Sequence, residues 1–177
     1  MPAYHSAFNA PGGRMAGNMG IIPIKSKIRG PAPPAPEDQE DVIDEAIDFF
    51  RANCLFRNFE IKGPGDRTLI YLTLFIQECL QKAAKTATLA DGQRQLMTLA
   101  VSNFPIPGDA GFPLNTMFEK PANRADADLL RAYLTQCRQE LVTRFTQRLY
   151  EQDKPSKWWM SFSKRKFMNI ASVGTTM

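Results

Sequence analysis

Between Leu69 and Leu80 the chain reads Leu-Ile-Tyr-Leu-Thr-Leu-Phe-Ile-Gln-Glu-Cys-Leu, apolar on nearly every side of a helical wheel. A helix without a polar face cannot lie on a protein surface and must have neighbours on several sides. The run is also too short for a bilayer, which needs roughly 18 uninterrupted apolar residues, and it carries Thr73, Gln77 and Glu78. It therefore predicts the middle of a helical bundle. The helix is expected over about 67–85, with Asp66 as its N-cap, because a carboxylate there accepts from free first-turn amides.

The rest of the chain supplies neighbours for such a helix. Ile43, Ala46, Ile47, Phe50 and Cys54 keep helical spacing, which places a first helix at about 37–56, its acidic start matching the positive end of the dipole. Residues 58–62 alternate as a short extended link, broken by Gly63-Pro64-Gly65. A shorter helix is expected from Asp91 to about Val101, with Leu96, Met97, Ala100 and Val101 on one face. Asn123 caps the longest, at about 125–150. There Leu130, Leu134, Cys137, Leu141, Phe145 and Leu149 form the buried stripe, over a length near 40 Å at about 1.5 Å per residue. Its other face, with Arg131, Arg138, Glu140, Arg144 and Arg148, reads as solvated or as an interface. Pro155 stops that helix and Ser156 can cap a last one at about 157–167.

The expected fold is all-α: a single-domain bundle of about five helices around one central buried helix, with long Pro/Gly loops and an extended N-terminal arm. Residues 1–36 form the arm, 37–169 the helical domain and 170–177 a flexible tail. A chain of 177 residues is long enough to bury one real core. In the arm, Ile21-Ile22-Pro23-Ile24 is a cluster able to dock, and residues 31–36 are stiff polyproline II. That stretch is either a spacer or a ligand for SH3-like or profilin-like partners. Residues 103–115 contain three prolines and two glycines, which forbid helix. Their apolar side chains, Phe104, Ile106, Phe112 and Leu114, either pack inward or form a contact surface.

A search for chemistry returns little. His5 is the single histidine, the three cysteines lack CxxC spacing, and no phosphate-binding glycine loop is present. No catalytic, cofactor-binding or metal site is expected, and Cys54, Cys79 and Cys137 read as small buried hydrophobes. The first residues lack the basic and apolar regions of a secretory leader, so the expected compartment is the cytoplasm. Charge is unevenly placed: residues 37–48 hold seven acids and no base, whereas from Lys154 onward there are five bases and no acid. Such asymmetry suits polar partner surfaces or an internal match, or is simply solvated charge. The basic end also contains adjacent tryptophans, which point about 100° apart on a helix, one into the core and one outward. Lys157, Trp158, Trp159, Lys164, Arg165 and Lys166 are thus interface candidates. Nucleic acid is disfavoured because the rest of the chain is not basic. A membrane is disfavoured because Trp and Lys are not sorted to opposite faces of a long helix.

Several motifs carry a resemblance. Pro2-Ala3-Tyr4-His5-Ser6, Gly17-Asn18-Met19, Gly30-Pro31-Ala32-Pro33, Asp44-Glu45-Ala46-Ile47, Asp66-Arg67-Thr68-Leu69-Ile70-Tyr71, Asn103-Phe104-Pro105-Ile106-Pro107-Gly108, Gly111-Phe112-Pro113-Leu114-Asn115, Lys120-Pro121-Ala122-Asn123 and Asp153-Lys154-Pro155-Ser156-Lys157-Trp158-Trp159 occur in order across almost the whole chain. Residues 7–16, about 82–95 and those after Asn169 lie outside them. Together they resemble the subunit 3 family of the actin-related protein 2/3 complex. The resemblance implies an all-helical fold and a seven-protein assembly of two actin-related proteins and five accessory subunits, which nucleates branches on actin filaments in the cortical cytoskeleton. It implies a scaffold piece set against the third actin-related protein near the mother filament, with nucleotide and catalysis belonging to other subunits. The runner-up is a stand-alone helical adaptor working through its proline run.

Overall fold

The computed structural model describes residues 3–175. Pro2 of the first motif and the last two residues of the tail lie outside them. At its centre is a helix over Pro64–Ala83, labelled α2, buried along the whole stretch from Leu69 to Leu80. Around it pack α1 (Val42–Asn53), α3 (Leu89–Val101), α4 (Arg124–Leu149) and part of the N-terminal arm. The enclosed helix expected from its apolar circumference is therefore present.

Local chemistry moves several boundaries. α1 starts at Val42, not near 37, because Asp41 and Asp44 form a capping box: each carboxylate accepts from the other's amide, at 3.0 and 3.1 Å. α2 starts at Pro64, and the N-cap position falls on Gly63 rather than Asp66. Proline suits the first helical position, where its missing amide would have no helical partner. Asp66 sits inside the first turn, and its carboxylate turns to the arm. α3 begins at Leu89 because Thr88 accepts from the Asp91 amide at 3.1 Å. α4 begins after Asn123, which accepts from Asp126 at 2.9 Å, as expected.

The last helix, α5, spans only Lys157–Met160, not 157–167. A 3-10 turn at Phe167–Asn169 follows, in which Met168 and Asn169 have φ of 55° and 61°. Such left-handed residues cannot continue a right-handed helix. The fold is mostly helical rather than purely so. Two small antiparallel sheets are present: β1 (Met15–Ala16) with β2 (Met19–Gly20), and β3 (Tyr150–Glu151) with β4 (Lys154–Pro155). Gly17, at φ +59°, makes the first turn, and a Cβ there would lie 2.3 Å from the Glu119 carbonyl oxygen.

The arm is a working part of the core. Ala16, Met19, Ile21, Ile22 and Ile24 are buried. The Tyr133 hydroxyl accepts from the Ile22 amide at 3.0 Å and donates to the Ile22 carbonyl at 2.8 Å. The proline run is pinned: Ile24 donates to the Pro33 carbonyl, Ala35 to the Ile24 carbonyl, and Ala32 to Gln136 Oε1. At the other end, Phe167 and Val173 are buried, and Gln77 and Glu78 on α2 bind residues 167–175. Among the described residues, no helix is long and apolar enough to cross a membrane.

Candidate interaction surface

The proline loop turns its apolar side chains inward. Phe104, Ile106, Phe112 and Leu114 are at most 7% exposed, and Phe112 packs on Phe118 with ring centroids 5.5 Å apart. Of the two readings open for these four residues, the structure shows packing: they build no outward apolar face. The loop's exposed side carries Gly108, Ala110, Gly111, Pro113, Asn115, Thr116 and Met117. Arg131 ties it to α4, donating to the Phe104 carbonyl at 2.9 Å.

The arginine stripe on α4 is not one solvated face. Arg138 is fully buried. It donates to the carbonyls of Leu99 and Ala100, to the Tyr71 hydroxyl and to Thr175 Oγ1, all within 3.1 Å. Its guanidinium lies 4.3 Å from the Phe75 and Phe104 ring centres. The last carbonyls of a helix lack the usual amide partners; here the Ser102 amide reaches that of Leu99 at 3.3 Å, and Arg138 donates to both Leu99 and Ala100. Burial pushes the Tyr71 phenol up to about 12 despite this cation. Six residues further on, Arg144 reaches Asp41, Asp44 and Glu140 and donates to the Lys25 carbonyl. Burial alone would raise the Asp41 carboxyl. Hydrogen bonds from Arg144 and from the Lys25 and Asp44 amides outweigh it and hold Asp41 low.

Asp41, Asp44, Glu45 and Asp48 of the acidic stretch therefore find partners within the chain, though not in the basic C-terminus, while Glu37, Asp38 and Glu40 are exposed. Asp41 and Asp44 bind Arg144 and Lys25, and Asp48 binds Arg148 at 2.6 Å. Glu45, 4% exposed, accepts from the Ser6 hydroxyl and the Ala7 amide, both at 2.7 Å. Asp66 accepts from His5 and the Ser6 and Lys62 amides. Two buried carboxylates thus clamp the start of the chain. The first turn of α2 leaves room for it only because Gly65 has no side chain: a Cβ there would lie 2.6 Å from the Phe8 carbonyl.

The C-terminal candidates divide by depth. Trp159 is 3% exposed and packs between Phe50 and Phe145, whereas Trp158 is 50% exposed. Lys157, Lys164, Arg165 and Lys166 are exposed, and none forms an ion pair with another described residue. Trp158 and Arg165 among them lie by the C-terminal end of α1. Arg51 lies over the Trp158 ring, 3.4 Å from its centre, and Arg165 is close enough to Cys54 to act on its thiol. Among the described residues, no group of three or more His, Cys, Asp or Glu is placed to hold a metal ion.

Comparison with known proteins decides the family. The family model for P21-Arc, the 21 kDa ARPC3 subunit of the ARP2/3 complex, matches residues 1–171. The chain belongs to the P21-Arc family. It is 56% identical to actin-related protein 2/3 complex subunit 3 of Schizosaccharomyces pombe, over 97% of this chain and 99% of that one. Identity to the proteins of that name is 50% in Dictyostelium discoideum (95% and 98% covered) and 43% in Arabidopsis thaliana (94% and 97% covered). The P21-Arc match takes in the clamped arm, the buried loop and the whole basic segment.

Sequence reasoning about this P21-Arc chain missed Arg51 and Leu55, the latter 56% exposed. Arg51 lies just off the apolar stripe of α1, and Leu55 two residues beyond the helix end. The contact between Arg51 and Trp158, over 100 residues along the chain, leaves no local pattern. The unmatched charge count at the C-terminus was the available signal.

Proposed function

We propose that the chain is a non-catalytic structural subunit of an actin-related protein 2/3 complex in the cytoplasmic actin cytoskeleton. In this reading it packs against the third actin-related protein near the mother filament and so supports nucleation of branched filaments in cortical networks. The observation that carries it is the family match over residues 1–171, with relatives named as subunit 3 aligned almost end to end. The architecture supports it. Arm and tail are fixed on the core by buried polar anchors, so the outer surface is built in advance and little ordering entropy opposes assembly. The exposed cations Lys157, Lys164, Arg165 and Lys166, with Trp158 beside them, form the face offered to acidic actin or another subunit.

The adaptor reading fits less well. A ligand for SH3-like or profilin-like partners needs a free polyproline segment, and residues 32–35 are hydrogen-bonded to Ile24 and Gln136. The test is a reconstituted complex with Lys164, Arg165 and Lys166 all changed to Glu. Branch density per filament length should drop severalfold while the chain keeps its wild-type melting profile. Unchanged branching with the triple variant incorporated overturns this role for the basic segment.

A further inference from the structure

Arg51 differs from the other well-ordered arginines of the fold. Arg138 is saturated with acceptors, and Arg144 and Arg148 face carboxylates. Arg51 has neither: it forms no ion pair with a described residue, and its Nε is the single buried side-chain nitrogen or oxygen among them without a hydrogen-bond partner. Yet it is held in place, flat over Trp158 at 3.4 Å and 5.9 Å from the Trp159 ring centre. Trp158 is itself braced edge-on by Trp159 and Phe162, at 5.6 and 6.5 Å.

We propose that Arg51 stacked on Trp158 is a preformed receptor for a carboxylate on a protein partner, with Leu55 as the apolar half of the contact. A stacked guanidinium has lost its rotamer freedom before binding, and its fork matches a carboxylate's two oxygens. Leu55 lies one turn beyond Arg51 and is more than half exposed, so an apolar side chain beside the partner's carboxylate meets it. Two of the exposed large apolar residues, Leu55 and Trp158, border this side of α1. Arg57, Lys157 and Arg165 are exposed and form no ion pair with a described residue, and the carboxylate of Asp48, one turn before Arg51, is already engaged by Arg148 at 2.6 Å. That combination selects an acidic protein surface with an apolar centre. It does not suit a nucleic-acid strand, because the guanidinium already occupies a face of Trp158 on which a base would stack.

The inference rests on the chain being an assembly subunit, with the carboxylate supplied by another protein of that assembly. The test titrates the full chain onto the complex assembled without it. It compares wild type with Arg51→Lys, Arg51→Glu and Leu55→Ser, and with Arg94→Glu as a remote exposed control. Arg51→Lys keeps the charge but loses the planar fork, and should bind roughly tenfold more weakly. Arg51→Glu should bind on the order of a hundredfold more weakly. Arg94→Glu should match wild type, and oxidative footprinting should show Trp158 protected on assembly. Wild-type affinity in both Arg51 variants, or Trp158 as reactive in the complex as in the free chain, overturns the receptor. Failure of the wild-type chain itself to bind overturns the assembly reading and the receptor with it.

Discussion

The guanidinium of Arg138 sits 4.3 Å from the ring centre of Phe104, joining the middle of the longest helix to the first residue of the proline loop's inward cluster. A buried cation without a carboxylate among its described partners is costly unless its donors are satisfied and its charge is spread over polarisable groups. Here two helix-terminal carbonyls, two hydroxyls and two aromatic faces do both. α3, α4, the loop and the tail meet at this one side chain.

Replacing Arg138 by Ala should therefore cost about 3–5 kcal/mol, since it strips the Leu99 and Ala100 carbonyls of their guanidinium donors and opens a cavity. The midpoint of guanidinium unfolding reads this directly. A loss under about 1 kcal/mol would mean that water replaces the guanidinium and the junction is not held as described.

Phe112→Ala should cost roughly 3 kcal/mol, and Leu74→Ala on α2 between about 2 and 5 kcal/mol, because both side chains are buried. The Phe112 result matters more. A surface side chain used only for partner contact would leave the free chain's stability unchanged, so equal unfolding midpoints for Phe112→Ala and wild type would return that residue to the interface.

Acid should loosen the amino-terminal clamp. Burial raises the Asp66 carboxyl, but contacts from Asn9, the Ser6 amide, His5 and the Lys62 amide outweigh it and set it below 3.8. A depressed carboxyl contributes stability above its unfolded value and loses it as pH falls through the folded one. The window is therefore below about pH 4. Glu45 acts oppositely: burial raises it above 4.5, so its ionisation opposes folding above that value. Asp66→Asn should flatten the stability profile below pH 4, while Glu45→Gln should leave that limb in place. Unfolding midpoints from pH 2 to 6 check both.

The three thiols should be silent in the folded chain. Burial pushes Cys54 up to about 11 and Cys137 up to about 12, and raises Cys79 further. Because the thiolate is the reactive form, a disulfide reagent at pH 8 should modify none of them until the chain unfolds, and all three together then. Rapid labelling of Cys54 alone would show the end of α1 opening locally.

The central helix was legible because an apolar circumference has one physical solution. Asn123 was legible as a cap because its signal is local, and the division of Trp158 from Trp159 follows from helical geometry. The start of α3 was missed although Thr88 and Asp91 have capping spacing, because Asp91-Gly92 is an equally plausible start. Asp66 was misread because its partners, His5 and Ser6, lie some sixty residues earlier. Along α4 Arg138 reads as solvated or as an interface residue, because nothing there reveals that the tail and the end of α3 close over it. The inward turn of Phe104 and Phe112 was likewise undetermined until their neighbours were placed. What local pattern could not carry was burial imposed by distant segments.

The most direct measurement is a pull-down of tagged full-length chain from its native cytosol, with quantitative mass spectrometry of the eluate. The account predicts two actin-related proteins and the remaining accessory subunits in near-equal amounts with the bait. Recovery of the bait alone, or only with proline-binding partners, would contradict it.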